Sequence, residues 1–439
     1  MNFFKTLAVI ILTFFLSTNA YAETPCSHQN IILSLDQVVE KAVEANHSIH
    51  ISNIDLEASK QVKKEAFTQF LPKLKTEYGV TYLSELQQTT LDNTRYHYGS
   101  RDNYLWTTSA IQNIFTGLAV LSQYQIADLE EEIAEIRRDD TRLLIILEAK
   151  KAFFAVQNAK LLVEVGKKSV RSLEDHLSIA REYYSVGLTS KIDVLNAEVD
   201  SAEVLQALEK AKNNVIVAKA ALNNIIDLPV DTLIDTAGTL EHTPFELPYE
   251  KCKKKAMELR PGLKAAEKKI EVAKKEIRLA SSDYYPDITA SANYNRLGDH
   301  ADLQGSDADD RENWNAMVTA TWTFWEWGKT KHSVLKSKEG LKKAIKQMII
   351  VEDQVHFEVK RAYQFLKTAQ HNIKVADKSV ASAEENLQIS KDRYKEQVAI
   401  VTEVLDAETR LTKARVFLTN ALNEYNVAMA TLYWAIGME

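Results

Sequence analysis

The spacing of apolar positions changes along the chain in a fixed order, and that order occurs twice. Apolar residues first recur every three or four positions, as on one face of a helix, up to a proline at position 72. Beyond Pro72 they alternate with polar residues, which predicts strands, and a proline-free stretch then returns to the helical spacing. The first half therefore predicts five elements: a helix at 34–71, strands at 72–84 and 103–115, a long helix at 118–185 and a return helix at 190–226.

The second half repeats this succession after a proline-containing linker at 229–248. We predict two repeats, 23–228 and 249–439, on either side of that linker. A long helix of this size is on the order of 100 Å, about the combined length of one return helix and the next opening helix, so the linker would form a belt at mid-height. The second repeat predicts a helix at 249–285, strands at 286–296 and 313–325, a long helix at 328–396 and a return helix at 400–436.

The turn between each long helix and its return helix has the same sequence frame in both halves. The stretch from Tyr184 to Glu198 and the stretch from Tyr394 to Glu408 match in their tyrosine, an acidic residue, Val-Leu and Ala-Glu. A glycine at 187, followed by an acid in the first turns of a new helix, predicts a tight helical hairpin tip. Because each long helix begins at a strand pair and ends at a tip, all strands should lie at one end of a rod and both tips at the other.

The first 22 residues predict a secretory signal peptide. A lysine at position 5 precedes an apolar run at 7–16 that is too short to span a bilayer, and Asn19-Ala-Tyr-Ala22 provides a small-x-small cleavage signature. A transmembrane anchor is the competing interpretation. The two cysteines, Cys26 and Cys252, could form a disulfide in an oxidising compartment or remain free thiols, with a lipidated Cys26 as a third possibility.

Composition narrows the class of protein. Twelve Gly and seven Pro in 439 residues are few chain breakers, which favours long helices, and 26% charged residues are too many for a polytopic helical membrane protein. A net charge of -7 gives no reason to expect a nucleic-acid partner. Entry into a membrane would therefore use strands. Four strands cannot close a barrel, but two copies would supply eight strands and three copies twelve.

The repeated frame resembles the TolC-type outer membrane efflux proteins, and the resemblance covers essentially the whole chain after the signal peptide. It implies a mainly α protomer with a small transmembrane β-barrel, and a homotrimer with a twelve-stranded barrel in the outer membrane lipid and an α-helical tunnel extending into the periplasm. It also implies that an inner-membrane transporter and a periplasmic adaptor protein dock at the tips. The resemblance rests on Tyr184-x-x-Gly187-Leu188-x-x-x-x-Asp193-Val-Leu195-x-Ala197, Tyr394 to Ala407, Phe115-Thr-Gly117, Trp325-Glu-Trp-Gly328, Pro72 and Pro286.

The same resemblance implies roles for individual tip residues. Asp193 and Tyr394 take two positions of a closing contact whose third position, an arginine in the family, is Ala399 here. Glu403 and Asp406 match the acidic entrance, although Asp193 and Glu403 also suit helix N-termini without any gating role. The residues predicted to contact the adaptor are Gly187, Leu188, Thr189 and Val398.

Five of the six tryptophans fall in or beside the predicted strands. A girdle at the membrane interface explains this clustering better than a buried core does. The girdle residues that we predict are Trp106, Trp314, Trp322 and Trp325.

No catalytic or metal-binding motif is evident, since the sequence lacks His-x-x-x-His, Cys-x-x-Cys, Gly-x-Ser-x-Gly and a phosphate loop. We therefore predict no enzyme activity, cofactor or metal. The predicted function is a passive outer membrane exit for efflux or secretion substrates, with energy supplied by a partner pump. The alternative is a periplasmic coiled-coil scaffold without channel activity. The cargo is not determined by these patterns.

Overall fold

The computed structural model describes residues 31–305, 311–396 and 398–439. The predicted signal peptide and Cys26, with its possible disulfide, lie outside these ranges. The first half contains β1 (Ile31–Leu33), α1 (Leu35–Ala45), α2 (His47–Thr68), β2 (Lys73–Tyr82), β3 (Gln87–Leu91), β4 (Thr94–Tyr98), β5 (Asp102–Thr116), α3 (Ala119–Ser185) and α4 (Lys191–Ile225). The second half contains β6 (Ile234–Thr236), α5 (Tyr249–Leu259), α6 (Pro261–Ser281), a 3-10 turn (Ser282–Tyr284), β7 (Asp287–Gly298), β8 (Glu312–Thr321), α7 (Lys329–Lys395) and α8 (Val401–Ala435).

The two halves repeat with constant spacing around the tips. The long helices α3 and α7 each have 67 residues, and the return helices α4 and α8 each have 35. The second long helix and the second return helix each begin 210 positions after the first, as Ala119 and Lys329 show for the long helices. A helix of 67 residues is about 100 Å long.

The two opening helices are each broken, so the single helices predicted at 34–71 and 249–285 are wrong. Asn46 ends α1 and caps α2, because its side chain accepts from the Ser48 N–H (2.9 Å) and donates to the Ile225 carbonyl (3.0 Å). Arg260 breaks the second opening helix with φ -62° and ψ 117°, since the residue before Pro261 is disfavoured in helical geometry.

Two further predictions are corrected around the strands. The fourth strand, predicted at 313–325, ends at Thr321, and the segment carrying Trp322 and Trp325 is no longer paired. The polar stretch after β2, which carried no predicted element, contains the β3–β4 hairpin. Its two-residue turn has positive φ at Asp92 (46°) and Asn93 (63°), as the twist of tight hairpins requires.

The four long strands form one antiparallel sheet in the order β2-β5-β7-β8, with two chemically different faces. One face is apolar and aromatic, where Trp106 meets Tyr294 edge-on at 6.5 Å between ring centroids. The other face is mostly polar, where the Thr107 hydroxyl donates to the Asn295 side chain (2.8 Å). All residues of β2 and β8 are exposed. In the part of the chain that the structure describes, no strand pairs with their outer edges.

The helices form an open arc of four at each level. Near the sheet the order is α2-α3-α6-α7, and near the tips it is α4-α3-α8-α7. The linker crosses the middle of this arc, where Gln157 and Asn426 donate to the carbonyls of Ala237 (2.9 Å) and Glu241 (3.1 Å). Within the linker, β6 pairs in parallel with β1. None of the described helices combines the length and apolar character needed to cross a membrane.

Candidate functional site

The first tip is closed by its own backbone and hydroxyl groups. Gly187 has φ +77°, which lets the chain reverse after α3, and the Leu188 N–H donates to the Tyr183 carbonyl (2.8 Å). Ser190 then caps α4 in a capping box, in which its hydroxyl accepts from the Asp193 N–H while the Asp193 carboxylate accepts from the Ser190 N–H (3.1 Å).

The carboxylate of Asp193 is bonded within the first tip. It accepts hydrogen bonds from the hydroxyls of Ser190 (2.7 Å) and Thr189 (2.8 Å). These bonds, with that from Ser190 the strongest, hold the pKa of Asp193 below its usual range. Thr189, which was predicted to contact an adaptor, therefore also orders the tip to which it belongs.

The second tip repeats one backbone hydrogen bond of the first but has a different closure. The Val398 N–H donates to the Arg393 carbonyl (2.9 Å), as Leu188 does at the first tip. Ile400 stands at the cap of α8 and has no side-chain oxygen, so it cannot bond the first turn. Instead, the Arg393 guanidinium reaches across the turn and donates to the Glu403 carboxylate at 2.8 Å. Sequence reasoning missed Arg393, whose role depends on the folded turn.

Tyr394 is buried where the two tips meet. Its side chain is 8% exposed, and its ring lies 5.6 Å from that of Tyr183 between centroids. Its hydroxyl has no hydrogen-bond partner among the described residues. Burial, followed by the nearby Tyr183 and Asp193, raises its pKa. The structure thus brings Tyr394 near Asp193, around a cleft of about 620 Å³ that Ala399 also lines.

Acidic side chains from both return helices converge above the tips. The pKa of Asp200 on α4 is raised by burial, then by the charges of Glu203 and Asp406. Asp406 is exposed on α8, one turn beyond Glu403. The predicted pair of acids therefore belongs to a larger group, and sequence reasoning missed Asp200 because the packing of α4 and α8 is a long-range feature.

The outer surface of both tips is apolar and exposed. Leu188 is 58% exposed, while Val398 and Ile400 are each 69% exposed. Gly187 is also exposed, whereas Thr189 is half-buried. An exposed apolar patch of this kind is typical of a surface that meets a partner.

The predicted girdle residues occupy two different places. Trp106 and Trp314 lie on the aromatic face of the sheet, and the Trp106 indole donates to the Thr76 hydroxyl (2.7 Å). Trp322 and Trp325 lie beyond β8, in the segment that joins the sheet to α7.

A buried polar layer crosses the coils above the tips and was not singled out by the sequence. His176 on α3 is 6% exposed and Glu408 on α8 is 3% exposed. Lys391 on α7 lies between them in the layer, 3.9 Å from the Glu408 carboxylate and 3.4 Å from the Ser172 hydroxyl. In the described ranges, neither ring nitrogen of His176 has a hydrogen-bond partner.

The repeated helix-strand-helix order, the doubled tip and the two-faced sheet together match one family. The sequence profile of the family described as "Outer membrane efflux protein" matches residues 38–226 and 253–438, which is most of each repeat. The chain belongs to this family. It is an outer membrane efflux channel that lies in the outer membrane and reaches into the periplasm, and the family is made up of channel proteins.

Named relatives of this efflux protein agree with that assignment. It is 22% identical to the outer membrane protein TolC of Escherichia coli over 416 residues, which cover 92% of this chain and 82% of the relative. It is 22% identical to the outer membrane efflux protein BepC of Brucella suis over 328 residues, which cover 74% and 70% of the two chains.

Solved structures share the fold of this efflux protein at low sequence identity. The outer membrane protein VceC of Vibrio cholerae superposes with a TM-score of 0.79 at 18% identity, covering 92% of this chain and 96% of VceC. CusC superposes with a TM-score of 0.80 at 14% identity, covering 93% and 94%. The outer-membrane channel OprN gives 0.78 at 16% identity, covering 92% and 90%.

Proposed function

We propose that three copies of the chain close into one channel, through which substrates leave the periplasm passively. The observation that carries this proposal is that the protomer is an open arc at every level. Its free edges are β2 and β8 in the sheet, α2 and α7 near the sheet, and α4 and α7 near the tips. An unpaired sheet edge in lipid leaves backbone groups without partners, each at a cost of several kcal/mol.

If each copy is rotated about a common axis relative to the next, the two opposite free edges of neighbouring copies meet. A head-to-tail contact places β8 of one copy against β2 of the next, and repeated rotation closes a ring. Two copies would form an eight-stranded barrel, whose interior is filled by side chains. Three copies form a wider, twelve-stranded barrel, which is the next multiple of four strands and leaves room for a passage, and the resemblance to TolC-type proteins implies the same number.

The two faces of the sheet suit opposite sides of such a barrel. The aromatic face, with Trp106 and Trp314, would face lipid. The polar face would line the passage, where the Asn293 amide donates to Asn315 (2.9 Å) and the Asn295 amide donates to Asn313 (2.8 Å).

The tips would form the periplasmic entrance. Three-fold symmetry would bring the exposed Asp406 side chains together with the Glu403 carboxylates, so the entrance should attract cations and slow anions. Asp193, Tyr394 and Ala399 would line the contact that opens and closes it. The exposed apolar patch at Leu188 and Val398 would receive a periplasmic adaptor bound to an inner-membrane transporter, which supplies the energy.

The experiment is a test of assembly followed by a test of conductance. The protein extracted in detergent should migrate as a trimer on an unheated gel and as a monomer after boiling. In planar bilayers it should form cation-selective channels, and the double variant Glu403→Ala with Asp406→Ala should lose most of that selectivity. Glu209→Ala, in an exposed pair with Lys212 away from the tips, is the control. Recovery of a monomer from the soluble periplasmic fraction would contradict the proposal.

A further inference from the structure

The first joint between sheet and helix is closed within the chain. Gly117 and Leu118 join β5 to α3 with φ of +56° and +72°. A Cβ on Gly117 would lie 2.3 Å from the Ser282 carbonyl oxygen, so the end of α6 packs directly against the backbone here. Phe115 also meets Tyr285 edge-on, at 6.4 Å between ring centroids. The second half of the chain therefore seals the first joint tightly.

The second joint, between β8 and α7, repeats the backbone of the first. Trp327 and Gly328 have φ of +53° and +85°, and they precede α7 as Gly117 and Leu118 precede α3. Both joints use the same side-chain contact with the preceding opening helix. The Gln112 amide donates to the Phe70 carbonyl at the first joint (3.1 Å), and 210 positions later the Trp322 indole donates to the Tyr284 carbonyl (3.2 Å).

Among the residues that the structure describes, none covers the second joint as the end of α6 covers the first. We define the aromatic joint as Trp322, Phe324, Trp325 and Trp327, which are 58%, 79%, 67% and 88% exposed. At the first joint, the cover is the end of an opening helix from the other half. The equivalent segment of the first half is the end of its own opening helix. We call this surface the α2 end and define it as Phe67, Phe70 and Leu71, which are 51%, 38% and 51% exposed. The α2 end lies at the opposite edge of the same arc.

We infer that the aromatic joint of one copy is covered by the α2 end of the next copy. The inference rests on the proposed ring of copies and names the contact that seals it where sheet meets helix. Both surfaces are apolar, with every member at least 38% exposed, they lie at the same height, and they sit at the two free edges that a ring brings together. Trp322 and Trp325 are then contacts between subunits, and Trp106 and Trp314 remain the lipid-facing aromatics.

The joint between copies differs from the joint within the chain. Trp327 stands where Gly117 stands, and at Gly117 even a Cβ would lie 2.3 Å from a carbonyl oxygen. A neighbour's α2 end therefore cannot approach Trp327 as closely as α6 approaches Gly117. Indole rings separate the two copies here, while backbone contact joins the two halves of one chain.

Cysteine crosslinking tests this contact. In a chain carrying Cys26→Ser and Cys252→Ala, we pair Leu71→Cys with Trp325→Cys and treat the assembled protein with a short bismaleimide. Boiled gels should show most chains as covalent dimers and trimers. The internal counterpart, Phe115→Cys with Tyr285→Cys, should crosslink within one chain and remain monomeric on the gel. A pair at opposite ends of the rod, Leu71→Cys with Val398→Cys, should not crosslink.

The outcomes separate this inference from the proposed function. A trimer on unheated gels, with no crosslink at Leu71 and Trp325, would overturn the joint and leave the channel proposal intact. Absence of a trimer in every variant and in the parent would contradict the proposed function itself.

Thermal dissociation and lipid quenching provide a second test. The double variant Trp325→Ala with Trp327→Ala should dissociate at a lower temperature than the parent trimer, whereas Trp314→Ala, on the lipid-facing side of β8, should not. Phospholipids with brominated acyl chains should quench the emission of Trp314 more than that of Trp325, compared in variants that each lack one of them. Stronger quenching of Trp325 would show that lipid covers the patch and would overturn the inference.

Discussion

The two tips have the same sequence frame but different ways of holding the acid in the first turn of the return helix. At the first tip, Asp193 is held by the hydroxyls of Ser190 and Thr189. At the second tip, the corresponding positions are Ile400 and Ala399, and Glu403 is held by Arg393. The first closure is a local capping box, which salt affects little. The second is an exposed ion pair, which salt screens.

The return helices also differ in burial at equivalent positions. Leu405 on α8 is 4% exposed, whereas Leu195, 210 positions earlier on α4, is 48% exposed. The cause is their place in the arc, because α8 packs between α3 and α7 while α4 packs at a free edge. Repeated sequence therefore does not imply repeated environment, and the following substitutions test how far the two tips differ.

The largest effect is expected from the equivalent leucines. Leu405→Ala leaves a cavity in the buried contact between the coils and should cost about 2–5 kcal/mol of unfolding free energy. Leu195→Ala should cost less than about 1 kcal/mol in the monomer, because its side chain is already half exposed. Hydrogen exchange of the segments 393–411 and 183–201 measures both on dissociated, monomeric protein in detergent, where no second copy covers Leu195. Equal losses of unfolding free energy in the two variants would show that the position of a return helix in the arc does not determine how deeply its leucine is buried.

The next largest effect comes from acid, through His176 in the layer above the tips. Burial, followed by the charge of Lys391, lowers the pKa of His176 to about 4, and the charge of Asp175 opposes this shift only weakly. On the other side of the layer, Glu408 on α8 faces Lys391. The folded state therefore keeps the ring neutral, and the stabilisation is complete above about pH 6.5 and lost as the pH falls toward 4. Between these pH values the free energy of unfolding should fall by about 3 kcal/mol.

The control for this acid effect is His176→Phe. Thermal unfolding of the variant should vary less between pH 6.5 and 4 than that of the parent. A parent whose unfolding temperature stays constant over this range would refute the prediction.

The caps should give a smaller effect of opposite sign at the two tips. Ser190→Ala should destabilise the first tip by about 1 kcal/mol, and Ile400→Ser should stabilise the second by a similar amount, because Glu403 already stands where a capping box needs an acid. Hydrogen exchange at the start of α4 and α8 measures each change.

The effect of Ser190→Ala should also depend on pH. Hydrogen bonds from Ser190 and Thr189 lower the pKa of Asp193, so their stabilisation is present above the usual carboxyl range and disappears as the pH falls through the lowered pKa. An unchanged difference between variant and parent in strong acid would argue against the capping role of Asp193.

The smallest effect on stability should come from Arg393→Met. Exposed ion pairs contribute less than about 1 kcal/mol to the free energy of unfolding, so the unfolding temperature should change little. The change should be smaller still in high salt, which already screens the pair. The freed Glu403 carboxylates should nevertheless increase cation selectivity in planar bilayers. Arg181→Met, which breaks the ion pair with Glu198 on the first coil, is the matched control and should leave selectivity nearly unchanged. Unchanged selectivity in Arg393→Met would place Glu403 away from the entrance.

Local signals predicted much of this molecule, and long-range contacts account for most of what they missed. The long helices were predictable because a three-four spacing persists without proline, and the tips because Gly187 and Asp193 are local signals. The break at Asn46 was missed because its carbonyl partner, Ile225, lies 179 positions away. The partner of Glu403 was missed because only the folded turn brings Arg393 across to it.

The sequence by itself determined the class of the long helices, the return helices and the four long strands, the doubled order and the apolar stripes of the helices, since periodicity acts over a few residues. Only the tertiary structure decided which stripe is covered. Leu195 and Leu405 occupy the same place in the repeat, yet one lies at a free edge and the other between two helices. Burial depends on neighbours that come from distant parts of the chain, and at the free edges from another copy, so local spacing alone cannot specify it.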